Sequence, residues 1–415
     1  MPAVYRARAE QLLEWSRYSF QTTPRMSLVQ GERGGLDMSS THHPIAIIGA
    51  GLGGLTLARA LQIRGVSAAV FDLEAGRDVR AQGGMLDIHD DTGQVALRTA
   101  DLYAGFEKII HPGGQALRLL NHDATLALEQ RDDGTGDRPE VDRGDLRDLL
   151  LDSLPDGTIR WGAKATGVRP LDEGGHEVTF GDGTVITADV LIGADGAWSR
   201  VRPLVSAASP AYTGISFVEL DLLDAEARHP GSAALIGGGF FIALDGERGF
   251  LAHRETDGSL HVYTALRSAE DWLDGIDFAD VTVAKTALLA HFVDWAPAFQ
   301  SLITDADGPL VPRRINALPV GHRWDRVPGV TLVGDAAHVM SPFAGEGANL
   351  ALLDGAELAV AIADHPADIE AGLAAYEEAL FARSEASAST SAASLELMFA
   401  PDAVTRLADL FAEHH

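Results

Sequence analysis

The sequence contains no cysteine. That absence removes disulfides, thiolate metal sites, a cysteine nucleophile and any cysteinyl link to a prosthetic group. It fits a reducing compartment, and a cytoplasmic location is expected. Basic side chains are scarce: 32 Lys and Arg stand against 60 Asp and Glu, a formal charge of -28. A surface this acidic repels phosphate backbones and anionic lipid, which argues against nucleic acid or a membrane surface as partner. It does not argue against a phosphate-bearing cofactor, which backbone N–H groups hold locally. Missing too is any apolar run near the ~18 residues that a membrane helix needs. The N-terminus lacks a basic start followed by an apolar core and cleavage site, so no secretory signal is read. No Ser/His/Asp arrangement, metal-spaced histidines or carboxylate pair stands out, and no metal is expected.

What is present is an ordinary globular balance, 46% hydrophobic and 22% charged. At 415 residues the chain is too long for one small core, so two domains, or one with a large insertion, is the default. Residues 1–43 differ from the rest. Ala9–Phe20 has the pattern of a short amphipathic helix, and QGERGGLDMSSTHH reads as flexible, so a loosely docked extension is expected. Met26 and Met38 are alternative starts.

From Pro44 to Glu74 the pattern is strand, glycine turn, helix, strand, one βαβ unit. Val141–Pro155 reads as an amphipathic helix with Leu146, Leu149, Leu150 and Leu154 on one face. Val190–Ala194 and Val330–Val333 read as buried strands. Between about 211 and 265 the segments ISFVELDL, GFFIALDG, GFLAHRE and SLHVYTALR alternate, which predicts an antiparallel sheet inserted into the first domain. Trp272–Trp295 is largely helical in pattern. The chain from Glu370 onward is alanine-rich and helical, with a break at Ala400–Asp402.

Gly49-Ala50-Gly51-Leu52-Gly53-Gly54 fits G-x-G-x-x-G between a strand and a helix. The first glycine permits the tight turn, the second lets a diphosphate approach the backbone, and the third allows close helix–strand packing. Asp72 lies 23 residues after Gly49 at the end of the next strand, where a carboxylate can accept ribose hydroxyls. The motif alone does not separate NAD from FAD.

Three further stretches follow: DRGDLRDLLLDSL (Asp142–Leu154), DVLIGADGAWSRVR (Asp189–Arg202) and GDAAHVMSPFAGEGANLALLDG (Gly334–Gly355). With the first motif, in this order, they resemble the class A single-component flavin monooxygenases of the aromatic-hydroxylase type. GGMLDIHDDTGQVAL (Gly83–Leu97), the arginine-bearing helix and LELMFAPD (Leu395–Asp402) look like the tetracycline-inactivating flavin monooxygenases within that group. The likeness runs roughly from Ile45 to Asp402 and loosens between about 205 and 310.

The resemblance implies an α/β fold: a Rossmann-like FAD-binding domain (GR2-type, parallel sheet) with an inserted antiparallel-sheet substrate domain and a C-terminal bridging helix. Residues 44–97, 132–203 and 312–370 would form the FAD domain, 98–131 and 204–311 the substrate domain, and 371–415 the bridging helix and tail. FAD would be held tightly and non-covalently. NADPH or NADH would bind transiently, and O2 would be the oxidant.

The same resemblance assigns roles. Gly49, Gly51, Leu52, Gly53 and Gly54 would hold the diphosphate, and Asp72 the ribose, with Leu73 standing where the subgroup has arginine. Arg147 would contact FAD, supported by Arg143, whose other reading is a solvated helix face. Asp195 would serve the diphosphate and the face where nicotinamide enters. Gly334 and Asp335 would hold the ribityl hydroxyls, since a carboxylate is acceptor-only and takes two donors. Pro342 and Phe343 would wall the flavin ring, Gly345 and Gly347 would let the backbone approach it, and Asn349 would lie just inside the helix. Asp87 and His89 fall near the ring, His89 reading as an ordinary hydrogen-bonded histidine. The substrate would meet Glu219, Phe240, Ile242, Leu251, His253, His261 and Tyr263, together with Pro342, Phe343, Ala344 and Gly345. Phe240 replaces an arginine of the subgroup and Tyr263 a glycine, which makes the pocket more apolar and narrower. For His261 a cross-strand sheet role stays open.

No catalytic side chain is assigned, because the flavin carries the chemistry. The activity implied is hydroxylation of an enolic or phenolic polycyclic, polyketide-like molecule, through a flavin C4a-hydroperoxide. A Baeyer–Villiger or other flavin oxygenase of secondary metabolism is the alternative, and a drug- or flavin-sequestering protein the non-enzymatic one. A flavin halogenase is disfavoured because no W-x-W stretch is present. The only partner expected is a small-molecule substrate, with a monomer as the assembly and a homodimer as the alternative.

Overall fold

A computed structural model describes residues 41–77, 79, 84–134 and 136–413. The helix expected at Ala9–Phe20 and the position Gly83 lie outside the described residues.

The first layer is a seven-stranded sheet. Its spatial order is Ile159–Arg160, Ala69–Phe71, Thr41–Ile48, Val185–Gly193, His176–Phe180 and Ala165–Pro170, with Val330–Leu332 also paired to Val185–Gly193. The pairs around Thr41–Ile48 and the pair Val185–Gly193 with Val330–Leu332 are parallel; those with His176–Phe180 are antiparallel. Ile45, Ala46, Ile47 and Ile48 are all buried, as in a strand covered on both faces. The strand starts four residues before the apolar run, because Thr41–His43 pair with Ile186–Ala188. Polar composition hid that extension. Similarly, Val141 and Asp142, read as helix, end a short strand, and the helix is Arg143–Asp152.

Helices Leu52–Gln62 and Glu346–Asp364 meet backbone to backbone on this sheet. A Cβ on Gly53 would lie 2.8 Å from the Ala351 carbonyl oxygen, and one on Gly355 would lie 2.4 Å from that of Gly53.

The second layer has seven strands in the order Asp307–Ala317, Ala211–Leu222, Leu260–Arg267, Arg248–Arg254, Phe240–Asp245, Leu117–Leu120 and Leu126–Gln130. All neighbours are antiparallel except Phe240–Asp245 with Leu117–Leu120. The first of these strands carries the sheet to Ala317, so the chain returns to the first layer later than residue 312. Strand alternation divides the sheet. Val218, Leu220, Phe241, Phe250, Ala252 and Val262 pack on the helices Val281–Leu289 and Pro297–Thr304. Phe217, Ile242, Leu251 and Ala265 on the other face pack with Leu395, Met398 and Phe399.

A 30-residue helix, Ile369–Met398, spans about 45 Å at ~1.5 Å per residue. Tyr376 and Leu380 enter the core of the first layer, while Leu395 and Met398 enter that of the second. It is the brace expected from the sequence. Among the described residues no helix is long and apolar enough to cross a membrane.

Candidate functional site

The glycine turn shows why each glycine is there. Gly49 has φ +112°, and a Cβ on it would sit 2.2 Å from the Ala194 carbonyl oxygen. One on Gly54 would sit 2.2 Å from the oxygen of Gly49. Gly51 differs: its Cβ would meet nothing within 4 Å. The helix it opens, whose first residue is Leu52, has no side-chain cap and no acid in its first turn, so its first N–H groups and dipole are not compensated by a side chain. Asp72 is buried at the next strand end, accepting from the Ala50 amide at 2.6 Å and the Glu74 amide at 2.8 Å. Each oxygen keeps a lone pair for a further donor. Leu73 is 59% exposed beside it.

Opposite, Gly334 adopts φ +60° and gives its amide to Asp354, which orients Asp335 at the strand end. Asp335 is exposed, and its carboxylate makes no hydrogen bond or ion pair among the described residues. Asp195 accepts from Ser199 Oγ at 2.5 Å and the Arg200 amide at 2.6 Å. Burial raises its pKa against those bonds. Arg202, 3% exposed, donates to the carbonyls of Ala197, Asp335 and Ala336. It ties the Asp195 loop to the Asp335 loop, a role the sequence reading missed although the motif quoted contains it.

Gly345 has φ +69°, and a Cβ on it would come 2.9 Å from an Asp87 carboxylate oxygen. Gly347, just inside the helix Glu346–Asp364, meets nothing within 4 Å, and that helix too lacks a side-chain cap. Asn349 is fully buried. Its amide accepts from the His89 N–H at 2.9 Å and donates to the carbonyls of Asp87 and Gly345, stapling the Asp87 loop to the helix start. His89 is hydrogen-bonded to Asp87 at 2.8 Å. Pro342 is exposed and Phe343 and Ala344 half-buried in a single 3-10 turn ahead of Gly345.

The two arginines part company. Arg147 is buried, with its donors on Glu74 at 2.9 Å and the Arg77 carbonyl at 2.8 Å. Its partners within the protein hold the loop after Asp72, so any influence on the dinucleotide passes through that loop. Arg143 is exposed at the helix start, without a hydrogen bond or ion pair from its side chain among the described residues. Its charge acts on Tyr263.

Period-two alternation brings Glu219, Phe240, Ile242, Leu251, His253, His261 and Tyr263 to one face of the second sheet. Phe343 faces them, edge-on to Phe217 at 5.7 Å. Phe240 stacks on His253 at 4.5 Å. Burial pushes His253 down to about 3, and neighbouring His261 adds to the effect. His261 is itself buried, which opposes its charge, but the 2.6 Å bond to Asp221 outweighs this and holds it above the ordinary imidazole value. Tyr263 packs edge-on to His261 at 4.6 Å, and burial with Glu219 pushes its phenol up. Glu219 is paired with Arg313 at 2.8 Å. The face therefore offers an apolar wall into which His261, the Tyr263 phenol and the Glu219–Arg313 pair are set.

Behind Asp335 lies an ionic cluster that the sequence reading also missed. Asp354, fully buried, accepts from the Gly334 amide at 2.8 Å, His338 Nε2 at 2.6 Å and Arg383 at 2.9 Å. Arg383 belongs to the long helix. Asp354→Asn is expected to destabilise the protein by about 3–5 kcal/mol, because it leaves two buried cations short of their partner. Burial raises Asp354, but His338, Arg383 and the Gly334 amide outweigh it and hold the carboxyl below its usual value. Burial lowers His338, but Asp354 outweighs it and holds the ring above. The carboxylate's contribution is lost as pH falls, and the imidazolium's as pH rises through its raised value. The cluster therefore stabilises most between about pH 4 and 6.5, the unfolded-state values. Denaturant titrations of wild type and variant across that range check both magnitude and window.

Two helix starts carry no side-chain cap, and at a strand end the Asp335 carboxylate makes no hydrogen bond or ion pair among the described residues. This donor set fits a dinucleotide with a polyol chain. The features are those of a dinucleotide-binding fold. The model of the FAD binding domain family matches residues 42–389, and the chain belongs to that family of flavin-dependent monooxygenases, with FAD as cofactor. It is similar to the monooxygenase asqM of Emericella nidulans, 29% identical over 89% of this chain and 97% of that one. It is 30% identical to the FAD-dependent urate hydroxylase of Mycolicibacterium vanbaalenii, over 81% and 83%. Among solved structures, Klebsiella pneumoniae HpxO complexed with FAD and uric acid superposes with a TM-score of 0.73 at 22% identity, covering 90% of this chain and 92% of that one. The tetracycline destructase Tet(51) gives 0.69 at 19%, covering 90% and 96%. At these identities the structural likeness is one of fold.

Proposed function

We propose that this chain is an NAD(P)H-dependent hydroxylase of an enolic or phenolic polycyclic, polyketide-like molecule. The observation that carries it is the single sheet face bearing Glu219, Phe240, Ile242, Leu251, His253, His261 and Tyr263 opposite Phe343. FAD supplies the redox chemistry, taking two electrons from NAD(P)H and passing one oxygen atom of O2 to the substrate while the other leaves as water. The chain's own residues bind and orient. The turn at Gly49–Gly54 and the Asp335 carboxylate hold the dinucleotide. The apolar wall excludes water from the reacting atoms. His261, oriented by its Asp221 bond, and the Tyr263 hydroxyl can donate to an enol or phenol oxygen, which favours an electron-rich carbon beside it.

Relatives support the reading: asqM and penA are named monooxygenases, and the Klebsiella and Mycolicibacterium relatives are named urate hydroxylases. Phe240 and Tyr263 narrow the face, so the substrate is flatter or smaller than tetracycline. The test is oxidation of NADPH and NADH by the yellow protein against phenolic and enolic polyketides, with mass spectrometry of products. A substrate-stimulated rate and a product heavier by one oxygen are expected. Colourless protein, or oxidation that no substrate in the panel stimulates, overturns the reading. Rapid turnover of tetracycline overturns its size limit.

A further inference from the structure

Two short strands, Met85–Asp87 and Glu140–Asp142, form a separate ribbon in which Asp87 stands opposite Glu140. Alternation sends Leu86 and Val141 into the first core and turns Met85, Asp87, Glu140 and Asp142 to the other face. That face borders the seam between the layers: Asp142 bonds to Thr256 in a turn of the second sheet, and Asp87 lies against Gly345. Directly opposed residues have Cβ atoms ~4.5–5.5 Å apart, so the two carboxyl groups are neighbours.

Glu140 is 8% exposed, its Oε2 is sealed from solvent, and its side chain makes no hydrogen bond among the described residues. A carboxylate so placed would be an uncompensated buried charge beside a second one. Burial, with Asp87 adding to it, holds Glu140 well above the usual carboxyl range. Its stem packs on Gly114, next to the His111 ring, and both His111 and Pro139 line a cavity of about 440 Å³. His111 is held below its ordinary value by burial and by Arg254. Around Asp87 stand His89 at 2.8 Å, with Glu346 beyond it, and Arg138 acts on Glu346.

We propose that Glu140 is the proton-bearing acid of the flavin site and exchanges its proton with Asp87. The inference rests on the flavin reading of the groove. In the exchange the O–H bond at Glu140 breaks as the proton passes to the Asp87 carboxylate, and after delivery Asp87, whose side chain is 32% exposed, takes a proton from solvent and returns it to Glu140. The stoichiometry of an NAD(P)H-dependent hydroxylation consumes one proton with each NAD(P)H and O2, and this pair delivers it beside Gly345.

Infrared spectra of the full chain at neutral pH test the proton directly. The carbonyl stretch of a protonated carboxylic acid is expected in wild type, absent in Glu140→Gln, retained in Glu140→Asp and displaced in Asp87→Asn. In yellow holoprotein, Glu140→Gln is expected to slow substrate-dependent oxygen uptake by about 100-fold at unchanged FAD affinity, with Glu140→Asp recovering most of the rate. A band that survives Glu140→Gln overturns the proposal, as does an unchanged rate and pH profile in that variant. Wild type without flavin or NAD(P)H oxidation refutes the function proposed above and, with it, the delivery of the proton there. The infrared comparison would still decide where the proton resides.

Discussion

Asp335→Ala is expected to yield a folded but colourless protein. The side chain is exposed and has no partner among the described residues, so its removal changes stability by less than about 0.5 kcal/mol. What it would lose, on the proposed role, is two charge-assisted bonds to ribityl hydroxyls, worth at least ~3 kcal/mol together. That is a loss of FAD affinity of ~100-fold or more. Titration of apoprotein with FAD gives the affinity, and thermal unfolding of the same apoprotein gives the stability. Retention of yellow colour at wild-type affinity would remove Asp335 from the cofactor site. A large fall in apoprotein melting temperature would mean that the carboxylate serves the fold instead.

The glycine turn allows a sharper separation of fold from binding. Gly51→Leu places a side chain where nothing lies within 4 Å, on extended backbone that any residue adopts. The apoprotein should fold normally, yet the side chain would occupy the space proposed for the diphosphate, and FAD binding should fall by more than ~100-fold. This expectation follows from the close approach of backbone to phosphate that the second glycine permits. Gly49→Ala is the opposite case. Its φ of +112° is strained for alanine, and the methyl would meet the Ala194 oxygen at 2.2 Å. Strain and overpacking each cost ~1–3 kcal/mol, so about 3–5 kcal/mol in total is a large part of the stability of a domain. The pair is compared by denaturant unfolding of apoprotein alongside FAD titration. Equal behaviour of the two variants in both measurements would contradict the division of roles.

These contrasts show what a linear sequence conveys. The turn at Gly49, the acid at Asp72 and the carboxylate at Asp335 each sit at a strand end flagged by a local apolar run, so their placement was legible. Glu219, Phe240, His261 and Tyr263 came from the family resemblance, and strand alternation accounts for their common face once the pairings are known. Pairings across long separations were not legible. Arg202 reaches carbonyls more than 130 residues away, and Asp354 meets Arg383 only because the long helix crosses behind the Asp335 loop. Arg147 illustrates the same limit: its helical position was correct, but Glu74, which takes its guanidinium, lies 73 residues earlier. The strand start at Thr41 was hidden because backbone pairing with Ile186–Ala188, not side-chain character, extends it.

The contact between the helices that begin near Gly51 and Gly345 has a consequence for cofactor choice. Gly53 touches the Ala351 backbone and Gly355 touches that of Gly53, so no exchangeable side chain sets the separation of the two helix starts. They form a gauge of fixed span. On the proposed placement of the cofactor, a mononucleotide flavin would reach only the Gly345 end, whereas a flavin carrying an adenylate would reach both. Selection between them would then be made by length, through a backbone contact that a side chain at Gly53 or Gly355 would break.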